Sequence, residues 1–367
     1  MNRLIGHIAR LVLAGFILFV NGCAYDDTFR HLREQQPESE SLAIAFSNGI
    51  IDNPVQIKKT NTRAVSLLSN HTESMGVWGW QTTSEGVTGR IFQNQKVTFS
   101  TTLDKWTYSP VKYWENKSSY RFYAYAPHAA TVEGATASID SATHAISIMG
   151  VTLSGSNTID SGVPVPPSRF SRVTDTDWMI DRSGQSMQGI YRNEVMFNLQ
   201  HILSKLCVRV RRSDNFMPDS VLAISIDSLK LGSFVSQGDF VQAPDNSNLT
   251  LAAEWTPIDT MPRYTLTSAK HVSIPDSAVY ILESLLIPQR VNTDQFIRIW
   301  YSIGNPGGYI NHMDNIFSLN ELFIGFETGK NYVITVTIGP DPIRFDAGVQ
   351  DWTYNWSEQS AFSKKEQ

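Results

Sequence analysis

The side chains able to do chemistry are scattered along this chain. Eight histidines are spread over 367 residues, and none has a metal-ligand spacing. His201 and Cys207 stand six apart, a separation that no common zinc pattern uses. His201 is expected to be structural, its ring bonded to a nearby backbone group. Asp175 and Asp177 lie on one face of a possible strand and could contribute to a calcium site, but two carboxylates alone do not make one. There is no G-x-S-x-G elbow, phosphate loop or dinucleotide fingerprint. Among 35 Asp and Glu residues no pair stands out for glycoside hydrolysis. The expectation is no catalytic residue, no metal and no cofactor, hence not an enzyme.

The sharpest chemical signal is at the N-terminus. Arg3 and Arg10 precede an apolar run, Leu11 to Val20, which is too short for a mature membrane span and suits the core of a secretory signal. The run ends in Val20-Asn21-Gly22-Cys23, which resembles a bacterial lipobox. The small Gly22 lets a peptidase reach the backbone, cleavage falls between Gly22 and Cys23, and the Cys23 thiol then carries the lipid, a palmitate-type chain. Asn21 departs from the usual residue at its place. The alternative is an ordinary signal peptide that ends near a cysteine. Asp26 and Asp27 resemble the surface-export signal of Bacteroidetes lipoproteins. Cys207 is the second of two cysteines, so with Cys23 acylated it has no intrachain partner. Its place between Leu206 and Val208 predicts a buried, inert thiol.

The elements that must position these groups read as strands. Apolar residues make up 41% of the chain and charged residues 18%, enough for packed cores and too little charge for disorder. The net charge of -5 gives no reason to expect nucleic acid as a partner. The basic run Arg209, Arg211 and Arg212 reads as a solvated strand face. Strand-like runs separated by Gly, Pro, Asn and Asp fill the mature sequence, with no amphipathic helix beyond about three turns. Leu42, Ile44 and Phe46 alternate before an Asn48-Gly49 turn. Tyr120, Phe122 and Ala124 alternate before Pro127. Ser154 to Ser171 is an irregular Ser-, Gly- and Pro-rich loop. A second set begins near Glu194 with Val195, Phe197 and Leu199, and residues 200–205 predict a helical turn or a bulge. Tyr332, Ile334, Val336 and Ile338 form the last clear strand. Ile343, Phe345, Ala347 and Val349 then alternate, and Trp352, Tyr354 and Trp356 continue with a one-residue shift that predicts a bulge near Asp351 or two strands.

Several segments, in order, resemble the fimbrillin family of Bacteroidetes, in particular its minor-fimbrillin-like branch. They are Met75 to Trp80, Trp106 to Trp114, Tyr120 to Pro127, Val195 to Val210, Leu285 to Gln289, and Gly329 to Tyr332. The resemblance implies an all-β chain: two tandem transthyretin-like (Greek-key) β-sandwich domains after a lipoprotein signal peptide. The expected division is signal peptide 1–22, tether 23–40, N-terminal sandwich 41–190, C-terminal sandwich 191–356 and polar tail 357–367.

The resemblance also implies a structural subunit of a surface fimbria, or pilus, that contributes to cell adhesion. Such subunits are exported as outer-membrane lipoproteins and assembled by protease-triggered donor-strand exchange. Its partners would be other fimbrial subunits, as homo- or heteropolymer, and outer-membrane lipid through Cys23. Cleavage after Arg63, before Ala64, would release the first strand, although Arg63 also fits an uncut surface loop. The donor strand would lie in 342–356 and present Ile343, Phe345, Val349, Trp352, Tyr354 and Trp356. The same segment equally fits the last strand of its own domain. The alternatives are a non-polymerising surface lipoprotein that binds a host glycan or protein, and a fimbrial anchor subunit. For the glycan, Trp78, Trp80, Trp106, Trp114, Trp352 and Trp356 are the stacking candidates, while alternation places most of them in a core. Asp140-Ser141-Ala142 and Asp276-Ser277-Ala278 resemble Bacteroidetes O-glycosylation sites.

Overall fold

The computed structural model describes residues 42–50, 74–100, 102–103, 105–155, 175–189, 193–214, 223–243, 254–258, 260, 263–274, 278–304, 310–339 and 342–352. Gly22, Cys23, Arg63, Ala64, Tyr354 and Trp356 lie outside these residues, as do the signal peptide, the tether, the polar tail and most of the Ser154 to Ser171 loop. The described chain is nearly all β, as its alternating pattern requires, with two short 3-10 turns at Ala129–Thr131 and Leu319–Glu321.

The first half is built on one large sheet. Its order is β1 (Phe46–Ile50), β10 (Val195–His201), β8 (Met179–Asp181), β5 (Ser119–Ala126), β2 (Ser74–Thr82), β3 (Thr88–Ser100) and β4 (Lys105–Thr107), with β9 (Gln185–Gln188) on β5. The sheet curls until its two edges meet. Ile44 N–H donates to Lys112 O at 2.9 Å and Trp114 N–H donates to Leu42 O at 2.8 Å, around an Ala43–Tyr113 bridge. Closing a sheet in this way removes its open edges. The concave side encloses Ile44, Phe46, Phe92, Trp106, Trp114, Phe122 and Phe197.

A second sheet, β14 (Trp255–Pro257), β13 (Gln237–Val241), β7 (Ile146–Thr152) and β6 (Thr136–Ile139), covers the convex side. Trp78, Tyr125, Ile148, Trp178 and Phe240 fill the space between. β5 is therefore buried on both faces: Phe122 and Ala124 serve the inner core while Tyr123 and Tyr125 serve the outer one.

The second half is a sandwich. One sheet runs β16 (Val279–Leu286), β11 (Ser204–Arg212), β21 (Lys330–Ile338) and β22 (Arg344–Asp351). The other runs β15 (Tyr264–Ser273), β12 (Ile224–Phe234), β18 (Phe296–Gly304) and β19 (Ile310–Ser318). Their facing sides bury Leu206, Val208, Ile226, Leu231, Ile299, Tyr332, Ile334 and Val336. Period-two burial on β18 is what the sequence pattern demands, whereas β21 is buried on both faces from Asn331 to Ile338. A short pair, β17 (Gln289–Arg290) with β20 (Gly325–Phe326), closes one end.

Three expectations need correction. Asn48-Gly49 does not turn. Both residues sit within β1 and run parallel to Phe197 and Asn198 of β10, so the tertiary ladder overrides the local turn signal. Residues 200–205 form neither helix nor bulge: β10 passes to β11 through Ile202 and Leu203, both fully buried. The boundary near 190 does not separate the sheets, because β10 pairs with β1 and β8, and β13 and β14 return to the first half. Non-local pairing decides these memberships, and strand patterns do not record it.

Candidate functional site

β1 is the strand around which the first half closes. Ile44 and Phe46 point into the closed sheet and are almost wholly buried. The Phe46 ring meets four others, Phe92 at 5.3 Å, Tyr108 at 5.3 Å, Phe197 at 5.6 Å and Phe122 at 5.9 Å between centroids. Aromatic rings at these separations add packing energy beyond their buried area. Tyr108 OH donates to Ile44 O at 2.8 Å, and Val195 N–H donates to Ala45 O at 2.8 Å. Burial pushes the Tyr108 hydroxyl up to about 12. The first-strand residues thus lie in a trench with an aromatic floor, held by backbone bonds on both flanks. Burying two such side chains contributes about 1.5–3 kcal/mol each, and each ladder bond about 1 kcal/mol net.

The expected donor segment is found as an edge strand. β22 pairs antiparallel with β21 from Lys330–Asp351 to Thr337–Arg344, so in this structure it completes its own domain. It ends at Asp351, where the expected register shift falls. Ile343 and Phe345 pack against the sandwich core, Phe345 stacks on Phe317 of β19 at 4.9 Å, and Val349 is 51% exposed. Trp352 leaves the strand, donates its N–H to Gly329 O at 2.8 Å, and lays its ring on His201.

That contact lies at the junction of the two halves. His201 Nδ1 is 2.8 Å from Asp177 Oδ2, so the ring faces a carboxylate and an indole. Beside it, Lys205 Nζ touches Glu283 Oε1, both side chains nearly without exposure. Burial pushes Glu283 up to about 7 against the pull of Lys205. Burial pulls Lys205 down, but the charge and hydrogen bond of Glu283 together with Cys207 and Asp177 outweigh it and hold the ammonium above its usual range. Burial also raises the Cys207 thiol, consistent with an inert group.

The remaining candidates are dispersed. Asp175 accepts from Ser154 and Gly155, whereas Asp177 pairs with His201, so each carboxylate already serves a protein partner. Among the described residues no three His, Cys, Asp or Glu cluster as metal ligands, and no helix is long and apolar enough to cross a membrane. Arg209 and Arg211 donate to Thr335 and Thr337 along the outer face of their sheet. Trp78, Trp106 and Trp114 are core residues. Trp80 is half-buried, with Arg90 over its ring at 4.9 Å and His144 against it at 4.8 Å.

Sequence reasoning missed the Tyr108 tie and the Lys205–Glu283 pair. The second had a signal: Lys205 and Glu283 are each a single charge inside an apolar run, and two such charges on neighbouring strands find each other.

A closed sheet, a sandwich and a plugged aromatic trench define a β-structural protein. The fimbrillin-like family model matches residues 62–352, and the chain belongs to that family. This makes it a fimbrial or adhesive subunit of the cell surface. A fimbrial protein from Bacteroides vulgatus shares the fold at a TM-score of 0.56 and 17% identity, over 85% of this chain and 100% of that one. A candidate cell adhesion protein from Bacteroides uniformis aligns at a TM-score of 0.42 and 15% identity, over 85% of this chain and 98% of that one. A comparison with curated proteins returns no match.

Proposed function

We propose that the chain is a pilus subunit, built on two tandem transthyretin-like units, exported as a lipoprotein on Cys23 and assembled by donor-strand exchange. The observation that carries this reading is the setting of β1. Ile44 and Phe46 fill a ready-made trench, and 23 residues including Arg63 separate Ile50 from β2 at Ser74. A cut between Arg63 and Ala64 frees β1 from the rest of the chain. Its departure bares an aromatic floor and unpaired backbone groups on β10 and on residues 112–114, the template for strand addition.

The donor in this reading is β22 of a neighbouring subunit. Ile44-Ala45-Phe46 and Ile343-Arg344-Phe345 carry the same two apolar residues at the same spacing. Ile343 and Phe345 would enter the sites of Ile44 and Phe46, after β22 gives up its ladder with β21.

A second reading, an anchor subunit that keeps Cys23 and its first strand, draws on β22 being seated in its own sheet. One experiment separates the two. The purified precursor is treated with an Arg-specific protease and run unheated on a gel. A new N-terminus at Ala64 with heat-sensitive ladders supports exchange. A clean cut that leaves only monomers rejects polymerisation.

A further inference from the structure

We propose that Lys205 and Glu283 condense to a side-chain amide that covalently staples β11 to β16. The inference stands apart from strand exchange and concerns a single folded chain.

Three observations carry it. First, the geometry is set by the sheet. β11 and β16 are antiparallel neighbours with Lys205 opposite Leu285 and Cys207 opposite Glu283, so Glu283 is the diagonal neighbour that an extended lysine reaches. Nζ and Oε1 are in direct contact. Second, the site is dry. Lys205 and Glu283 are each 5% exposed, and Lys205 Nζ sits 5.6 Å from the centre of the Trp352 ring, which covers it. Third, a proton acceptor stands nearby. The negative charge of Asp177 acts on Lys205, and Asp177 Oδ1 is buried without a hydrogen-bond partner.

The chemistry balances without an oxidant or a further reactant. In a medium of low dielectric a buried ion pair gains by passing its proton from ammonium to carboxylate, which leaves a neutral amine and a neutral acid. Burial lifts the Glu283 carboxyl to about 7 while its partners hold Lys205 as the ammonium, so the neutral pair is the minor form through which the reaction passes. The Lys205 nitrogen attacks Cδ of Glu283 and forms the C–N bond. Asp177 takes a proton from that nitrogen and delivers it to the hydroxyl, the C–OH bond breaks, and one water leaves. The amide that remains is uncharged, so two buried charges disappear.

The location gives the bond a mechanical role. Lys205 is the second residue of β11, which starts directly after the buried Ile202–Leu203 link. Tension passed between the halves enters the second sandwich there as well as at the β12–β13 and β14–β15 crossings. The hydrogen bonds at that end carry it first, and a covalent tie to β16 shields them.

The test is peptide mass analysis of a protease digest of the chain as its own cells process it. The expected result is a branched peptide that joins the Lys205 and Glu283 segments, lighter than their sum by one water. Lys205→Arg keeps the charge and abolishes the branch completely. Linear Lys205 and Glu283 peptides of full mass in the wild type overturn the proposal, and this reading does not depend on any variant folding. A water deficit that survives in Lys205→Arg overturns it too. So does a branch lighter by one ammonia that joins Lys205 to Asn331.

Discussion

His201 and Trp352 lie ring on ring, their centroids 3.8 Å apart and their planes 3° from parallel. His201 ends β10 in the first half, and Trp352 is the first residue after β22 in the second. The contact therefore fastens the C-terminal strand to the far side of the junction. Trp352→Ala removes a half-buried indole, with an expected loss of about 1–3 kcal/mol. Hydrogen exchange should rise in residues 344–351 and remain slow in β11. Unchanged protection of β22 would show that its ladder alone holds it.

Phe46→Ala opens a cavity among four aromatic rings. The expected cost is about 3–5 kcal/mol, read as a lower denaturant midpoint of the uncut chain. If β1 leaves during assembly, the same variant weakens only the precursor. Chains already joined through a donor strand should resist denaturant as well as wild type.

Tyr108 gives a pH dependence with a defined sign. Its folded value of about 12 lies above the ordinary 10.0. Its contribution is complete below pH 10.0 and is lost as pH rises toward 12, because burial disfavours the charged tyrosinate, which also cannot donate to Ile44 O. Tyr108→Phe should cost about 1 kcal/mol near neutrality and make the alkaline fall in stability shallower. An unaltered slope would place that fall on other tyrosines.

Phe345→Asp puts a charge on a half-buried edge position. Thermal scans should show a modest loss in the monomer, since Phe345 lies at the rim of its sandwich. Ladder formation after proteolysis should disappear if Phe345 enters the Phe46 site, because an unpaired carboxylate there meets only aromatic rings. Ladders of normal length would locate the donor elsewhere.

How much of this was legible depended on where each strand lies. Tyr332, Ile334, Val336 and Ile338 face one core, and their alternation is plain in the sequence. β5 hides its rule because Tyr123 and Tyr125 face a second core as apolar as the first. The segment from Leu42 to Phe46 was recognisable as an apolar strand, but the parallel pairing that carries β1 through Asn48-Gly49 depends on β10, about 150 residues away. Of the site residues, Phe46 and Phe345 showed in the pattern. Tyr108 did not, since its value lies in a hydroxyl aimed at a backbone oxygen 64 residues earlier.

The passage from β10 to β11 has a consequence for any filament made of such units. Ile202 and Leu203 are both sealed from solvent, and Trp255 Nε1–H donates to Ile202 O at 2.7 Å. Pivoting one half against the other would drag two aliphatic side chains into water and break that bond, a penalty of about 4–7 kcal/mol. In such a filament each protomer would act as a stiff link, and bending would arise where one link grips the next.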